Sequence, residues 1–293
     1  MLAVVFVTPR LTTNTFTSRI MTKENNDLPE KTARSKKHWS SYLLPILIGL
    51  SLVAVVVFAS FYFRLEKEYQ TGNDLYKNLR TDQVSLLHIK KDMGQAAPLE
   101  DQPSANSGSM DFTYLEIVNP DIVAWITAAG LPIDLPVVQG QDNEYYLTRL
   151  FDHQPNRLGT LFVDVYNKRD FSDKNTVIYG HNMNDGSMFA SIANYRTQDF
   201  YDSFPVMDLY TPTGDYKIEL FAGYVANANE PFIQFVFQDD ADFLNYIDWL
   251  KLISTFDSQV TIGPEDRIVT LSTCTYDFDN ARYVVFGKLV PVN

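Results

Sequence analysis

Arg267 to Val290 reads RIVTLSTCTYDFDNARYVVFGKLV, two runs rich in β-branched and aromatic residues separated by a polar stretch of turn-forming Asp and Asn. The pattern predicts strands over 267–273 and 282–290. The first leads into the chain's single cysteine, Cys274, at the end of TLSTC, and the second opens on Arg282. Two strands joined in this way can bring the guanidinium beside the thiol. A lone cysteine forms no internal disulfide, so Cys274 is either a small packing hydrophobe or a reactive group.

Outward from this pair, further β-type runs occur at 133–138 (IDLPVV), 159–164 (GTLFVD), 175–180 (NTVIYG), 206–211 and 216–225 (YKIELFAGYV), each bounded by Gly, Pro, Asn or Asp. Their number and spacing predict a barrel or a sandwich. Helical patterns interrupt them at 112–118, 143–150, 187–194 and 240–255. In the last, Asp239 or Asp240 can cap the first turn, and Phe243, Leu244, Ile247, Leu250 and Leu252/Ile253 share one broad face.

The N-terminal part has a different character. Residues 42–63, YLLPILIGLSLVAVVVFASFYF, contain no charged side chain and are long enough to cross a bilayer as a helix. The run ends in Phe61, Tyr62 and Phe63, where signal-peptide cleavage would need small residues, so it is expected to persist as an anchor. Lys31, Arg34, Lys36 and Lys37 precede it, and mixed charges follow, which puts the N-terminus in the cytoplasm and everything after residue 63 outside. Translation is expected to start at Met21 rather than Met1. The domains read as a basic tail over 1–41, a transmembrane helix over 42–63, a helical stalk and Gly/Pro/Ser-rich linker over 64–110, and a folded domain over 111–293. That last segment carries eleven Lys/Arg against twenty-six Asp/Glu. Such acidity argues against nucleic acid as a partner, because phosphate binding requires clustered basic residues. An acidic extracellular domain without paired cysteines fits a Gram-positive surface protein.

A thiol needs a partner to become a useful nucleophile, and the chain has four histidines. His38 precedes the anchor and His88 lies in the stalk. His153 sits in the polar segment DHQPNR, whereas His181 follows the strand Thr176-Val177-Ile178-Tyr179 through Gly180, where a strand opens into a loop. His181 is thus a candidate base or an ordinary loop histidine. Arg282 can hold a carbonyl or an oxyanion, or simply pair with Asp277 or Asp279. No Cys/His cluster suggests zinc, and the acidic residues are too scattered to suggest calcium.

The order YGHN at 179–182, TLSTC at 270–274, then Arg282 resembles the sortase family of cysteine transpeptidases. NPDIVAWI (119–126), IDLPVVQGQDNEYYL (133–147), GTLFVD (159–164), VIYGHNMNDGSMFASI (177–192) and the helix at 240–255 are similar to class B members. Class C is disfavoured, since the chain shows neither a second membrane span nor a lid motif. The resemblance implies a mainly β fold, a closed eight-stranded sortase-type barrel with peripheral helices behind one transmembrane helix. It implies Cys274 as nucleophile, His181 as general acid and base, and Arg282 at the substrate carbonyl, with Asn143, Leu147, Tyr179 and Ser272 contacting a peptide and no cofactor. The implied partners are secreted surface proteins or pilins bearing a C-terminal sorting signal, cleaved after Thr. The acceptor is an amine, from a lipid-linked cell-wall precursor or a pilin lysine. Two other readings stand beside it: a membrane-anchored cysteine protease that only hydrolyses, and a non-catalytic surface binding domain.

Overall fold

The computed structural model describes residues 40–92, 110–229, 233–275 and 277–292. Residues 1–39 of the basic tail, with both alternative start sites, and nearly all of the 94–110 linker lie outside the described residues. Eight strands form: β1 (Ile122–Ala128), β2 (Ile133–Val138), β3 (Leu161–Val163), β4 (Asn175–Tyr179), β5 (Val206–Thr211), β6 (Gly214–Asn227), β7 (Ile268–Cys274) and β8 (Ala281–Pro291). They pair in the order β1-β2-β3-β4-β7-β8-β6-β5, and β5 returns to β1, with Trp125 opposite Tyr210, to close a barrel. Closure leaves no free sheet edge to template aggregation. Two pairs, β2/β3 and β4/β7, are parallel. Parallel neighbours need crossovers, and the one from β4 to β7 carries β5, β6 and the helices between them.

Both faces of β8 are apolar because both are covered. Tyr283 and Val285 point into the barrel core, while Val284 and Phe286 belong to a second cluster outside it. That outer cluster is sealed by a helix over Asp240–Ile253, whose Phe243, Tyr246, Ile247 and Leu250 are buried with Phe221 and Phe286. Burying a side chain of this size contributes roughly 1.5–3 kcal/mol. Asp239 is the helix cap, its carboxylate accepting from Asp242 N at 2.9 Å.

The sequence pattern misses β1. IVAWITA is buried along almost its whole length, so it lacks the alternation of a strand with one wet face. Where helices were expected at 143–150 and 187–194, the chain forms 3₁₀ turns over Tyr145–Thr148 and Ala190–Arg196. A short helix over Gln198–Ser203 was not anticipated. The helix at 112–118 forms as Phe112–Val118, capped by Asp111.

One long helix, α1, runs over Ser40–Asp92. The chain divides into two compact units, 1–55 and 56–293. In the first, the described residues form an exposed apolar helical segment, the start of a helix long and apolar enough to cross a membrane. In the second, the stretch expected as a stalk packs against the barrel. Gly72, Tyr76, Leu79 and Gln83, spaced three and four apart on one helical face, are all buried. Gly72 approaches so closely that a Cβ there would lie 2.7 Å from Leu158 Cδ2. Asn156 Nδ2 donates to Glu68 O at 2.9 Å, and Asp111 N donates to Gln83 Oε1 at 2.8 Å.

Candidate active site

Cys274 is the last residue of β7 and lies directly opposite Arg282, the second residue of β8. Antiparallel register thus does what the sequence only allowed: Arg282 Nη1 donates to Cys274 Sγ. Of the two aspartates that could pair with this arginine, Asp277 and Asp279, the first is occupied elsewhere. Asp277 forms a two-pronged ion pair with Arg196, Nη1 to Oδ1 and Nη2 to Oδ2, both at 2.6 Å. That pairing draws the Asp277 carboxyl down to about 2. Arg196 also lies over the Tyr283 ring, 5.3 Å from its centre, so the β7–β8 connection is fastened to the 3₁₀ turn at 190–196.

His181 reaches the same place from β4. This strand runs parallel to β7 with Tyr179 opposite Ser272, so His181 and Cys274 each lie two residues further along neighbouring strands. Gly180 N donates to Ser272 O at 3.0 Å, and Asn182 Nδ2 donates to Cys274 O at 2.8 Å, which pins the two strand ends together beyond the ladder. Gly180 must be glycine, since a Cβ would lie 2.6 Å from the Phe189 ring. His181 Nε2 is 2.7 Å from Leu147 O. A carbonyl only accepts, so Nε2 is the protonated nitrogen and Nδ1 decides whether the ring is neutral or charged.

The wall opposite the strands is the turn at 145–148. Asp142 starts it by accepting from Glu144 N (2.8 Å) and Tyr145 N (2.7 Å), contacts that hold its carboxyl below the usual range. Leu147, partly exposed, then faces a cavity of about 310 Å3. Asn143, Leu147, Tyr179, His181, Ser272, Cys274 and Arg282 all line it, joined by Phe162, Gly180, Ala228 and Thr273. The structure therefore brings every site residue expected from the sequence to one cavity. His153 is outside it, with Tyr145 OH 3.3 Å from its Nδ1.

Two of the expected groove residues have their polar groups already engaged, by a residue the sequence reading did not single out. Asp164, at the end of GTLFVD, is only 3% exposed. Its Oδ2 accepts from Tyr179 OH at 2.9 Å and Asn143 Nδ2 at 3.0 Å, and its Oδ1 accepts from Tyr166 N at 2.9 Å. Asn143 Oδ1 in turn accepts from Val165 N at 2.9 Å. Burial, then the charge of Asp164, holds the Tyr179 hydroxyl far above its ordinary value, with Arg282 acting in the opposite sense. Tyr179 thus stands between a carboxylate and a guanidinium, its ring against Phe162 at 5.3 Å between centres. By contrast Ser272 Oγ and Thr273 Oγ1, both in the cavity wall, are buried without a hydrogen-bond partner among the described residues. Buried hydroxyls of this kind carry a desolvation cost that a ligand group can relieve.

Comparison with known proteins agrees with this geometry. A model of the sortase domain matches residues 126–290. A sortase B from Listeria monocytogenes is 36% identical over 248 residues, covering 83% of this chain and 97% of the relative. A sortase B from Staphylococcus aureus is 34% identical over 184 residues, covering 62% and 75%. Among solved structures, sortase B of Clostridium perfringens superposes with a TM-score of 0.59 at 37% identity, covering 61% of this chain and all (100%) of that one. A Staphylococcus aureus sortase B–substrate complex superposes with a TM-score of 0.61 at 30% identity, covering 74% and 98%. A closed eight-stranded barrel, a cavity shared by His181, Cys274 and Arg282, and these relatives converge: the chain belongs to class B of the sortase family of cysteine transpeptidases.

Proposed function

We propose that the chain is a membrane-anchored transpeptidase that cleaves a C-terminal sorting signal after Thr and transfers the acyl group to an amine. The observation that carries this reading is the opposition of Cys274 and Arg282 across β7 and β8, with Arg282 Nη1 on the sulfur, in a cavity that His181 also lines. Cys274 Sγ, its proton passed to His181, attacks the Thr carbonyl carbon; a C–S bond forms and the carbonyl oxygen takes up negative charge beside Arg282, a fixed donor in a partly water-excluded site. The C–N bond then breaks, and His181 gives the departing amine its proton, leaving a thioacyl enzyme. The incoming amine attacks the thioester and loses its proton to His181. The C–S bond breaks, and Cys274 is regenerated.

Leu147, Tyr179, Asn143 and Ser272 form the peptide groove in this reading. Leu147 and the Tyr179 ring supply apolar contact, Ser272 Oγ supplies a hydrogen-bonding group without a partner among the described residues, and Asn143 acts mainly by fixing the wall through Asp164 and Val165. A Staphylococcus aureus sortase B has been solved as a substrate complex, which supports a peptide in the equivalent cavity. The apolar part of α1 is the anchor, with the basic segment before it in the cytoplasm and the barrel outside. Both partners are then tethered to one surface: a secreted protein bearing the signal, and a lipid-linked wall peptide or a pilin lysine. Confinement raises their effective concentration. The test is to incubate the full chain in detergent with a library of sorting-signal peptides and an amine. An amide between the peptide's Thr and the amine is expected; release of only the free acid at every amine concentration would assign hydrolysis instead.

A further inference from the structure

We propose that Tyr76, on the same helix that carries the apolar span, is a positioning residue for the His181 imidazole; this rests on the reading of His181 as the acid–base group. Tyr76 is 4% exposed, and its hydroxyl donates to Gly159 O and lies 3.0 Å from Thr160 Oγ1. Both residues lead directly to the histidine. Thr160 N donates to Tyr146 O at 3.0 Å, and Thr160 Oγ1 donates to Arg149 O at 2.9 Å, so Thr160 holds both sides of the turn that contains Leu147. Gly159, at φ +64, is wedged against the same turn: a Cβ there would lie 2.7 Å from Tyr146 O, 2.9 Å from Leu147 O and 3.2 Å from His181 Cδ2. Leu147 O is the acceptor for His181 Nε2. One continuous set of contacts therefore runs from the α1 hydroxyl through residues 159–160 and the 146–149 backbone to the ring.

Helix α1 also grips the segment on the other side of the histidine. Asn73 Nδ2 donates to Asp185 Oδ2 at 3.2 Å, and Asp185 Oδ1 accepts from Ser187 N at 3.0 Å. Asn182 and Met188 are bridged, so this loop closes just beyond His181. Residues 73 and 76 lie one turn apart, close enough for one stretch of helix to hold both supports of the imidazole. The helix that tethers the enzyme is on this account part of its catalytic scaffold.

The test uses the full chain in detergent and compares Tyr76→Phe with the parent. The ring stays and only the hydroxyl is lost. The expected result is a fall of about tenfold in kcat/KM, a modest part of what a general acid–base group contributes, carried by kcat with KM little changed. A merely structural role would lower the melting temperature and leave kcat of the folded enzyme, read well below that temperature, where it was. Thr160→Val should repeat the effect and Thr160→Ser, which keeps the hydroxyl, should not; this pair carries the test if Tyr76→Phe does not fold. Parental kcat in both Tyr76→Phe and Thr160→Val would overturn the proposal. His181→Ala separates the two claims: if it still transfers acyl groups, the reading of the site itself has failed, whereas an inactive His181→Ala beside an unaffected Tyr76→Phe removes only the positioning role.

Discussion

Replacing Tyr179 by Phe removes one hydroxyl and tests whether Asp164 organises the groove wall. In the parent that hydroxyl donates to Asp164 Oδ2 at 2.9 Å, and the same oxygen also accepts from Asn143 at 3.0 Å. Asp164 is buried, so water cannot readily replace the lost donor. A hydrogen bond to a charged group contributes about 1.5–3 kcal/mol, and the phenylalanine ring keeps the contact with Phe162, so a loss near ~2 kcal/mol is expected. For a domain of this size that corresponds to a melting temperature lower by about 4–8 °C. The measurement is thermal and denaturant unfolding of the full chain in detergent, followed by near-ultraviolet circular dichroism. Tyr166→Phe is the reference, because Tyr166 is 85% exposed and should change stability by no more than about 0.5 kcal/mol. Burial and Asp164 raise the Tyr179 hydroxyl above its ordinary value. Its contribution is therefore fully present below the unfolded value, near pH 10, and is lost as pH rises beyond it; the gap between parent and Tyr179→Phe should narrow above about pH 10. Equal stability of Tyr179→Phe and Tyr166→Phe at pH 7 would show that Asp164 does not organise the wall through this hydroxyl.

Arg282→Lys should reduce kcat/KM by about 10²-fold or more, since a lysine cannot reproduce the planar fork that reaches Cys274 Sγ, while the melting temperature changes little; steady-state peptide cleavage checks this. Arg196→Ala removes the partner of Asp277 and should cost about 0.5–1 kcal/mol at pH 7, a surface-pair magnitude because both side chains are about a third exposed (34%). The Asp277 carboxyl is lowered to about 2 in the folded protein. Its contribution is thus present above the unfolded value near pH 4 and fades as pH falls towards 2, so acid titration should bring the parent and Arg196→Ala curves together. Gly180→Ala forces a methyl group against the Phe189 ring and should destabilise by about 1–3 kcal/mol or prevent folding, read as soluble yield and melting temperature.

The parts legible in the sequence were those written in local pattern. β2 and β5 form over the residues their apolar runs marked, because Pro132 and Gly140 flank the first and Pro205 and Pro212 the second. β1 escaped for the opposite reason: with nearly every side chain of IVAWITA buried, no periodicity distinguishes it. Barrel closure depends on β1 meeting β5, a contact between segments some eighty residues apart that no local signal encodes. In the 64–92 segment the spacing revealed a helix, but not that Tyr76 and Leu79 would enter the core. The site divides in the same way. Cys274 and Arg282 come from adjacent strands, so their meeting could be anticipated. Arg282 meets the thiol, and Asp277, one of the two aspartates that could have paired with it, is taken by Arg196, which arrives from a distant part of the chain. Asp164 was missed because an aspartate closing a strand reads as a turn residue; only the fold shows it buried beneath Tyr179 and Asn143.

The claim on which all of this rests is that Cys274 becomes acylated during turnover. Mass spectrometry of the full chain mixed with sorting-signal peptides, with amine withheld, tests it directly. The expected result is a covalent mass increase equal to the acyl fragment ending at Thr, its free acid less one water, mapped to Cys274, absent in Cys274→Ala and discharged when amine is added. Peptide cleavage that proceeds without an adduct on Cys274, or that survives in Cys274→Ala, would contradict it.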